Sequence, residues 1–394
     1  MKKILIIGAG FLQSFVIKRA KELGYITYAV DGNPDAVGYK YADYYETIDI
    51  VNTKACLAYA KNNKIDGVLT AATDYGVLTA SYIAHELGLN GISSKAAKLI
   101  KNKYLVRKCL FNDKVDDTKQ AYLVDKDSNF NAISQEITYP VMVKPCDGSG
   151  SRGTNKVEKK EDFENACMCA INNSLTSQAE IETFIVGDEY GVECFVENEN
   201  IHILAIMKKW MTNHPFYAEL GHSIPSGLSL DLEGKIKLCV KKALFALDVN
   251  FGSINMDILI TNDKKIHIID IGARMGGNLI GTHIIPYGTG IDYVGNMIKS
   301  AVGDPTDWTS KNSSIVVTRL LAFSGGIVKR LPDFKNLEKK YGVEIYHHLS
   351  IGDVVGEYHT NLDGCGYIIA KDTDFLRAEE KVTEVLNIIE NYIF

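Results

Sequence analysis

Features that mark special classes of protein are scarce in this sequence of 394 residues. It has 8 prolines and no low-complexity tract, which argues against a disordered or fibrous chain. The apolar run from Ile4 to Ala9 is too short to span a membrane and is typical of a buried strand. No Lys/Arg-rich run offsets the formal net charge of −6, so a nucleic-acid-binding surface is not expected.

Cysteine is present but without a recognisable pattern. The 8 cysteines are scattered, and their spacing is unlike that of a metal site. Cys167 and Cys169 stand two apart in a predicted helix, so their side chains diverge. We therefore expect reduced thiols and a cytoplasmic protein.

The first 100 residues alternate strand and helix patterns. A strand in KKILIIGAG precedes a helix from Phe11 to Leu23, and a second strand ends at Asp31. A helix over 53–63 and a strand in DGVLTAATD follow. The alternation predicts a Rossmann-like α/β domain over 1–100, with a parallel sheet and helices on both faces.

From about residue 101 the pattern changes to hairpins, and the length of the chain favours two or three domains. VMVKP and the glycine-rich stretch after it predict a strand–loop–strand unit, followed by a helix over 162–172. A later helix over about 233–247 precedes a hairpin over 254–273, and the chain ends in a helix over 376–391. We predict α+β regions over 101–300 and 301–394, the second completing the core of the first.

A glycine turn follows the first strand, in Gly8-Ala9-Gly10-Phe11-Leu12-Gln13. A dinucleotide-binding fingerprint has a third glycine where this chain has Gln13, although Asp31 stands where a ribose-binding acid would be. A tight strand-to-helix turn explains the glycines equally simply. A nicotinamide-dependent dehydrogenase is thus the weakest functional alternative.

A second glycine-rich stretch follows a lone lysine. Lys144 ends an apolar strand, and Gly148 to Gly153 add glycines, serines and Arg152. Glycines let backbone N–H groups approach an anion, and Lys and Arg add positive charge. The pattern indicates a phosphate clamp that is not a Walker loop, or else an ordinary surface hairpin loop.

The hairpin over 254–273 carries two acids. Centred between Asp263 and Lys264, it pairs residues whose numbers sum to 527, which places Asp257 opposite Asp270 and Asn255 opposite Gly272. Two carboxylates about 5 Å apart repel each other, which a raised pKa or a bound cation relieves. All-oxygen ligands suit Mg²⁺ shared with phosphates, with Mn²⁺ as an alternative ion. A one-residue slip in register would separate the acids.

Taken together, and in this order, these segments resemble the ATP-grasp superfamily, in the branch of the amino-acid ligases and carbamoyl phosphate synthetase-like proteins. The resemblance implies a Rossmann-like domain, a lid over about 119–181 and a core that binds ATP beneath the lid. It also implies ATP contacts, which are Lys103 and Lys144 on the phosphates, Ser149, Gly150, Ser151 and Gly153 in the loop, Glu182 and Ile185 at the adenine, and Glu189 at the ribose.

The same resemblance implies metal and substrate ligands. Asp257 and Asp270 would hold one or two Mg²⁺ ions, and Arg274 would contact an acyl phosphate. Two positions depart from the family pattern, since Asp270 replaces a glutamate and Gly272 replaces an asparagine. Our hypothesis is that Asn255 supplies the missing amide oxygen from the neighbouring strand.

The polar and aromatic segment after Lys208-Lys209-Trp210 predicts a substrate loop. Glu219 could hold an amine and His222 could orient a substrate or accept a proton, or His222 is only structural. With Arg274, the pair Gly276-Gly277 completes the expected substrate contacts. The resemblance implies a homodimeric ligase that joins a carboxylate to an amine, with amino acids as candidate substrates. The alternatives are a purine-pathway or bicarbonate-activating ligase and a non-catalytic ATP sensor.

Overall fold

The structure is a computed structural model that describes residues 1–118, 121–148, 150, 152–213, 216–361 and 363–394. Its core is divided among a parallel sheet, a small antiparallel sheet and a large antiparallel sheet. Within the described residues, no helix combines the length and apolar character needed to cross a bilayer.

The N-terminal part is the predicted parallel sheet. Its strands are β1 Lys3–Ile7, β2 Ile26–Asp31, β3 Tyr44–Thr47 and β4 Gly67–Thr70, in the order β3-β2-β1-β4. The helices are α1 Phe11–Glu22, α2 Thr53–Asn63, α3 Val77–Leu87 and α4 Ser94–Ile100. Ile4 to Ile7 are fully buried, as expected for a strand covered on both faces. The predicted α/β class of this part is confirmed.

The next part is a four-stranded antiparallel sheet. After α5 (Lys103–Asn112) come β5 Ala121–Val124, α6 Phe130–Glu136, β6 Val141–Pro145, β7 Asn155–Val157, α7 Phe163–Asn172 and β8 Ala179–Thr183. The strand order is β5-β8-β6-β7, and β6 pairs with β7 as the predicted hairpin around the glycine loop. Apolar residues of α7 fill the space over this sheet.

An eight-stranded sheet forms the rest of the core. Its strands are β9 Asp188–Glu197, β10 Asn200–Met211, β11 Glu219–Ile224, β12 Gly252–Ile260, β13 Ile266–Gly272, β14 Ile315–Leu320, β16 Val343–His347 and β18 Gly366–Asp372. Their order is β13-β12-β9-β10-β11-β14-β18-β16, and β15 Gly326–Ile327 pairs with β17 Val354–Val355. The helices are α8 Leu230–Ala246, α9 Ile285–Thr289, α10 Tyr293–Ala301, α11 Phe334–Tyr341 and α12 Phe375–Ile393, with a π-helical turn at Ile280–Ile284.

Two boundaries differ from the sequence prediction for local reasons. Helix α8 begins one turn earlier than predicted, because the Ser229 hydroxyl caps it by accepting from the Leu232 amide at 3.3 Å. The β12–β13 hairpin turns around Asp263 and not between Asp263 and Lys264, since Ile260 pairs with Ile266.

A β-bulge restores the predicted register in that hairpin. Ile258 pairs with Ile268 and Asp257 pairs with Asp270, so Ile269 is the extra residue on β13. Asn255 consequently lies opposite Gly272, as predicted. The carbonyl of Ile269 accepts from Lys144 Nζ at 3.3 Å, so the bulge also contacts the lysine of the second sheet.

Candidate active site

Charged side chains cross five neighbouring strands of the large sheet. Strand by strand they are Asp270 on β13, Asp257 on β12, Glu189 on β9, Lys209 on β10, and Glu219 with His222 on β11. Five of these six belong to the residues predicted from the sequence, and Lys209 is the addition. The sheet therefore brings the predicted metal, ribose and substrate residues into one site.

The repulsion between Asp257 and Asp270 is relieved by two lysines. Lys103 Nζ donates to Asp270 Oδ1, and Lys209 Nζ donates to Asp257 Oδ1 at 2.8 Å. Burial raises the pKa of Asp257 to about 7, and nearby Glu189 adds to the rise while Lys209 opposes it. Asp257 thus has a raised pKa and each acid has a lysine beside it, while the predicted metal ion between the two acids stays a prediction.

Lys209 is the central cation of the site. Its Nζ lies 2.6 Å from Glu189 Oε1, 2.8 Å from Glu219 Oε1 and 2.8 Å from Asp257 Oδ1, and its side chain is only 1% exposed. A signal for this lysine is present in the pair Lys208-Lys209. Adjacent lysines on a strand point to opposite faces, so one of Lys208 and Lys209 had to point inward.

Two cavities meet at the acids. The lid cavity, of about 460 Å³, lies between the four-stranded and eight-stranded sheets, and the N-terminal cavity, of about 500 Å³, lies between the parallel and eight-stranded sheets. Residues that line both cavities are Lys103, Gly148, Gly150, Arg152, Glu219, Asp257 and Asp270. A group bound in one cavity can therefore reach a group bound in the other beside Asp257 and Asp270.

The lid cavity contains the predicted adenine, ribose and phosphate residues, which are Lys103, Lys144, Gly150, Glu182, Ile185 and Glu189. Its wall also includes apolar side chains of Met142, Phe184 and Leu259, which suit an aromatic base. Ser149 and Ser151 were predicted at the phosphates and lie outside the described residues. Gly153 lines neither cavity, because it faces Asn173 and Pro145 behind the loop.

Glu182 is fully paired beneath the lid cavity. Lys144 Nζ forms an ion pair with Glu182 Oε1, and Arg107 Nη2 lies 2.8 Å from Glu182 Oε2. These cations hold the pKa of Glu182 below its usual range, although burial alone would raise it. Arg107 was missed by the sequence prediction, and it also binds Asp116 at 3.1 Å and the Ile268 carbonyl at 2.7 Å.

Arg274, which was predicted to contact an acyl phosphate, lies in the N-terminal cavity. Its Nε and Nη2 donate to the two oxygens of Asp74, both at 3.1 Å, and its Nη1 donates to Asn255 Oδ1 at 3.4 Å. Asn255 in turn donates through Nδ2 to Glu193 at 2.9 Å. The amide oxygen of Asn255 therefore faces the arginine and the cavity and not the protein interior.

Glu193 is a buried acid that the sequence prediction missed. Besides Asn255, it accepts from the Tyr293 hydroxyl at 2.6 Å and the Gly276 amide at 3.0 Å. Burial raises its pKa to about 7. Gly276 was predicted to contact substrate, but its amide already donates to Glu193. Gly277, which was also predicted to contact substrate, does line the N-terminal cavity.

Glu219 and His222 form the far wall of that cavity. Glu219 accepts from Asn278 Nδ2, and the Tyr358 hydroxyl donates to its carbonyl at 2.5 Å. His222 Nε2 lies 3.9 Å from Glu219 Oε2. Burial lowers the pKa of His222 to about 4, so the imidazole is neutral at pH 7.

Side chains of Gln13 and Asp31 occupy the space around the glycine turn after β1. Gln13 Nε2 donates to the Ala71 carbonyl at 2.6 Å, and Asp31 Oδ2 accepts from the Ala9 amide at 2.8 Å. The amide that a pyrophosphate would approach thus already binds a carboxylate. This arrangement supports the interpretation of the glycines as a tight turn.

Comparison with known proteins gives the family of the central region. Residues 137–283 match the model of the ATP-grasp domain. The ATP-grasp enzyme fsqD of Aspergillus fumigatus is 25% identical over 284 residues, 63% of this chain and 47% of that protein. The carbamoyl phosphate synthase large chain of Buchnera aphidicola is 24% identical over 295 residues, 69% of this chain and 26% of that protein. The chain spans less than half the length of these two relatives.

Solved structures resemble the whole chain. Phosphoribosylglycinamide synthetase from Anaerococcus prevotii has a TM-score of 0.76 at 24% identity and covers 100% of this chain and 98% of its own. L-amino acid ligase from Bacillus licheniformis has a TM-score of 0.85 at 18% identity and covers 99% and 98%. At these identities the likenesses show the fold. The chain thus contains an ATP-grasp domain and has the ATP-grasp fold, which confirms the resemblance seen in the sequence.

Proposed function

We propose that this ATP-grasp protein is an ATP-dependent carboxylate–amine ligase that forms an acyl phosphate and releases ADP and phosphate. The observation that carries the proposal is the meeting of two cavities at Asp257 and Asp270. ATP would occupy the lid cavity and the carboxylate the N-terminal cavity. The γ-phosphate of ATP would then move from one cavity to the other past the residues that line both.

The lid cavity supports ATP through its charges and its shape. Lys103 and Lys144 would bind the phosphates, and Glu182, Ile185 and Glu189 would contact the adenosine. Lys144 is at present paired with Glu182, so it must turn toward the phosphates when ATP binds. Arg107 remains on Glu182 and keeps that buried carboxylate neutralised during the turn.

The donor set of the facing acids fits Mg²⁺, with Mn²⁺ as an alternative. Asp257 Oδ1 and Asp270 Oδ1 contact lysines, whereas their Oδ2 atoms have no hydrogen-bond partner among the described residues. Carboxylate oxygens at the mouth of a phosphate site are the usual ligands of this ion. Bound there, the ion would offset charge on the phosphates during transfer.

The N-terminal cavity supports binding of a carboxylate and an amine. Arg274 offers a fixed guanidinium to the acyl phosphate, with Gly277 beside it. Glu219 lies across the cavity and would hold the amine, while neutral His222 would orient it or accept a proton. Arg274 and Glu219 thus place opposite charges on the cavity wall, each also paired within the protein, and amino acids are the substrates that we propose to test first.

ADP release tests this function. The purified chain would be given MgATP with amino acids, singly and in pairs, and the proposal expects release that needs both a carboxylate and an amine. Asp257→Asn should abolish release. Asp263→Asn, in the exposed turn of the same hairpin, should leave it intact and so serves as the matched control.

A non-catalytic ATP sensor is the second candidate. Gly272 stands where the family pattern has an asparagine, and both acids are already paired with lysines. Tight MgATP binding without ADP release across all acceptors would favour the sensor. Release that requires a phosphoribosyl acceptor or bicarbonate would instead favour those ligases, and the homodimer stays a prediction for any of them.

A further inference from the structure

We propose that Lys209 takes the place of a second divalent cation, so that the site holds one metal ion together with ATP. The inference rests on the proposed function, because it concerns the ion bound between Asp257 and Asp270. In this inference the ammonium group of Lys209 neutralises the carboxylates on strands β9, β11 and β12, a role that a second ion would otherwise have.

The contacts of Lys209 are those of a coordinating cation. Its Nζ lies 2.6–2.8 Å from one oxygen each of Glu189, Glu219 and Asp257. Two of these contacts are hydrogen bonds, which the ammonium group donates to Glu189 and Asp257, and the contact with Glu219 is an ion pair. A second ion would have to displace Nζ to reach the same oxygens.

The lysine stem is fixed in that position. Lys209 lies on β10 and reaches Asp257 on β12 by crossing the intervening strand β9. It crosses at Gly191, which pairs with Asp257 and has no side chain to block the path. A Cβ at position 191 would lie 3.8 Å from Lys209 Cδ, so the stem packs directly over this glycine.

The charge of the site leaves room for one divalent ion. Once a bound cation keeps Asp257 ionised, Glu189, Glu219, Asp257 and Asp270 carry four negative charges, and Lys209 and Lys103 contribute two positive ones. The remaining two negative charges equal the charge of a single Mg²⁺ or Mn²⁺. A second divalent ion would give these six side chains a net positive charge, which only the phosphates of ATP could offset.

The carboxylate oxygens that are available to a metal also indicate one divalent ion. Glu219 uses its second oxygen for Asn278, and Asp270 Oδ1 accepts from Lys103 and from the Ile271 amide. In the part of the chain that the structure describes, Oδ2 of Asp257 and Oδ2 of Asp270 have no hydrogen-bond partner, and both residues line the two cavities. One oxygen from each of two paired acids suits one shared ion, and Gly272 has no side chain that could add a ligand.

The test counts bound Mn²⁺ in the presence of β,γ-imido-ATP, by electron paramagnetic resonance of the free ion and by calorimetry. Wild-type chain is expected to bind one Mn²⁺ per nucleotide. Lys209→Met removes the internal cation and is expected to bind two. Lys208→Met is the matched control and should bind one, since Lys208 is exposed on the other face of the same strand.

Two Mn²⁺ ions in the wild-type chain, or one in Lys209→Met, would overturn the inference and leave the proposed function standing. Absence of both nucleotide and Mn²⁺ binding in the wild-type chain would overturn the proposed function itself. If Lys209→Met does not fold, Lys209→Gln provides the second test of the replacement, and a wild-type count of two would still overturn the inference.

Discussion

Arg274 grips both carboxylate oxygens of Asp74, with Nε 3.1 Å from Oδ1 and Nη2 3.1 Å from Oδ2. Asp74 follows strand β4 of the parallel sheet, and Arg274 follows β13 of the large sheet. Beside them the Ala72 amide donates to the Met275 carbonyl at 3.0 Å. The pair therefore joins the two sheets and fixes the guanidinium plane at the N-terminal cavity.

This geometry predicts a separation of binding from turnover. Arg274 lines the N-terminal cavity and not the lid cavity, whereas Lys144 lines only the lid cavity. Arg274→Met is expected to lower the rate of ADP release by about 10²–10³-fold, as for the loss of a charge-stabilising donor, and to leave ATP affinity unchanged. Steady-state kinetics and nucleotide titration measure the two effects.

Lys144→Met should show the opposite balance, with weakened ATP binding as its main effect. Both variants remove one cation from the same site, so each controls for the loss of charge in the other. If Arg274→Met weakened ATP binding as much as Lys144→Met does, the assignment of the two cavities would be wrong.

The hairpin was predictable because its pattern is local. Apolar residues alternate on both strands, which sets the faces of Asp257 and Asp270, and a turn of polar residues fixes the pairing to within one residue. The turn is in fact displaced by one residue, and the bulge at Ile269 corrects the displacement. The predicted pairs are therefore correct although the bulge was not predicted, since no residue of the hairpin marks its position in the sequence.

The buried charges could not be predicted in the same way. Arg107 binds Glu182, which lies 75 residues away in the sequence, and it also binds Asp116. Glu193 accepts from the Tyr293 hydroxyl, 100 residues away, and from the Gly276 amide. Each residue alone looks like an ordinary surface charge. Only the packing of three sheets shows which charges are withdrawn from water and must be paired.

Asn255 offers a test of the departure at Gly272. Its Nδ2 is held by Glu193, so Oδ1 is directed toward Arg274 and the N-terminal cavity. If this oxygen replaces the missing amide ligand, Asn255→Ala should raise the Mg²⁺ concentration needed for half-maximal ADP release by about tenfold. Asn262→Ala, in the exposed turn, is the control, and an unchanged Mg²⁺ dependence in Asn255→Ala would refute the hypothesis.

Arg107 is expected to dominate stability under the lid cavity. It is 4% exposed and contacts the carboxylates of Glu182 and Asp116. Arg107→Met leaves Asp116 with no lysine or arginine in hydrogen-bond reach among the described residues. We expect a loss of about 3–5 kcal/mol in the free energy of unfolding, measured in urea.

Lys108→Met is the matched control for that measurement, because Lys108 is the next residue of the same helix and is exposed. Its expected effect is within about 0.5 kcal/mol, as for an ordinary surface substitution. A loss below about 1 kcal/mol in Arg107→Met would mean that the buried acids are neutralised by other means.

His222 makes stability depend on pH. Burial lowers its pKa from 6.5 to about 4, so between these values the unfolded chain binds a proton that the folded chain does not. This histidine costs no stability above pH 6.5 and destabilises the fold progressively as the pH falls toward 4. At pH 5 the cost should be about 2 kcal/mol relative to pH 7.5.

His222→Gln removes this titration, so its stability should fall by about 2 kcal/mol less than that of the wild-type chain between pH 7.5 and pH 5. Other titrating groups, including buried His283, occur in both proteins and cancel in the comparison. His85→Gln, at a side chain that is 73% exposed, should reproduce the wild-type dependence. Urea unfolding at the two pH values measures all three proteins. Equal slopes for wild type and His222→Gln would mean that the folded chain admits the proton at His222, which contradicts its burial beside Lys209 and Glu219.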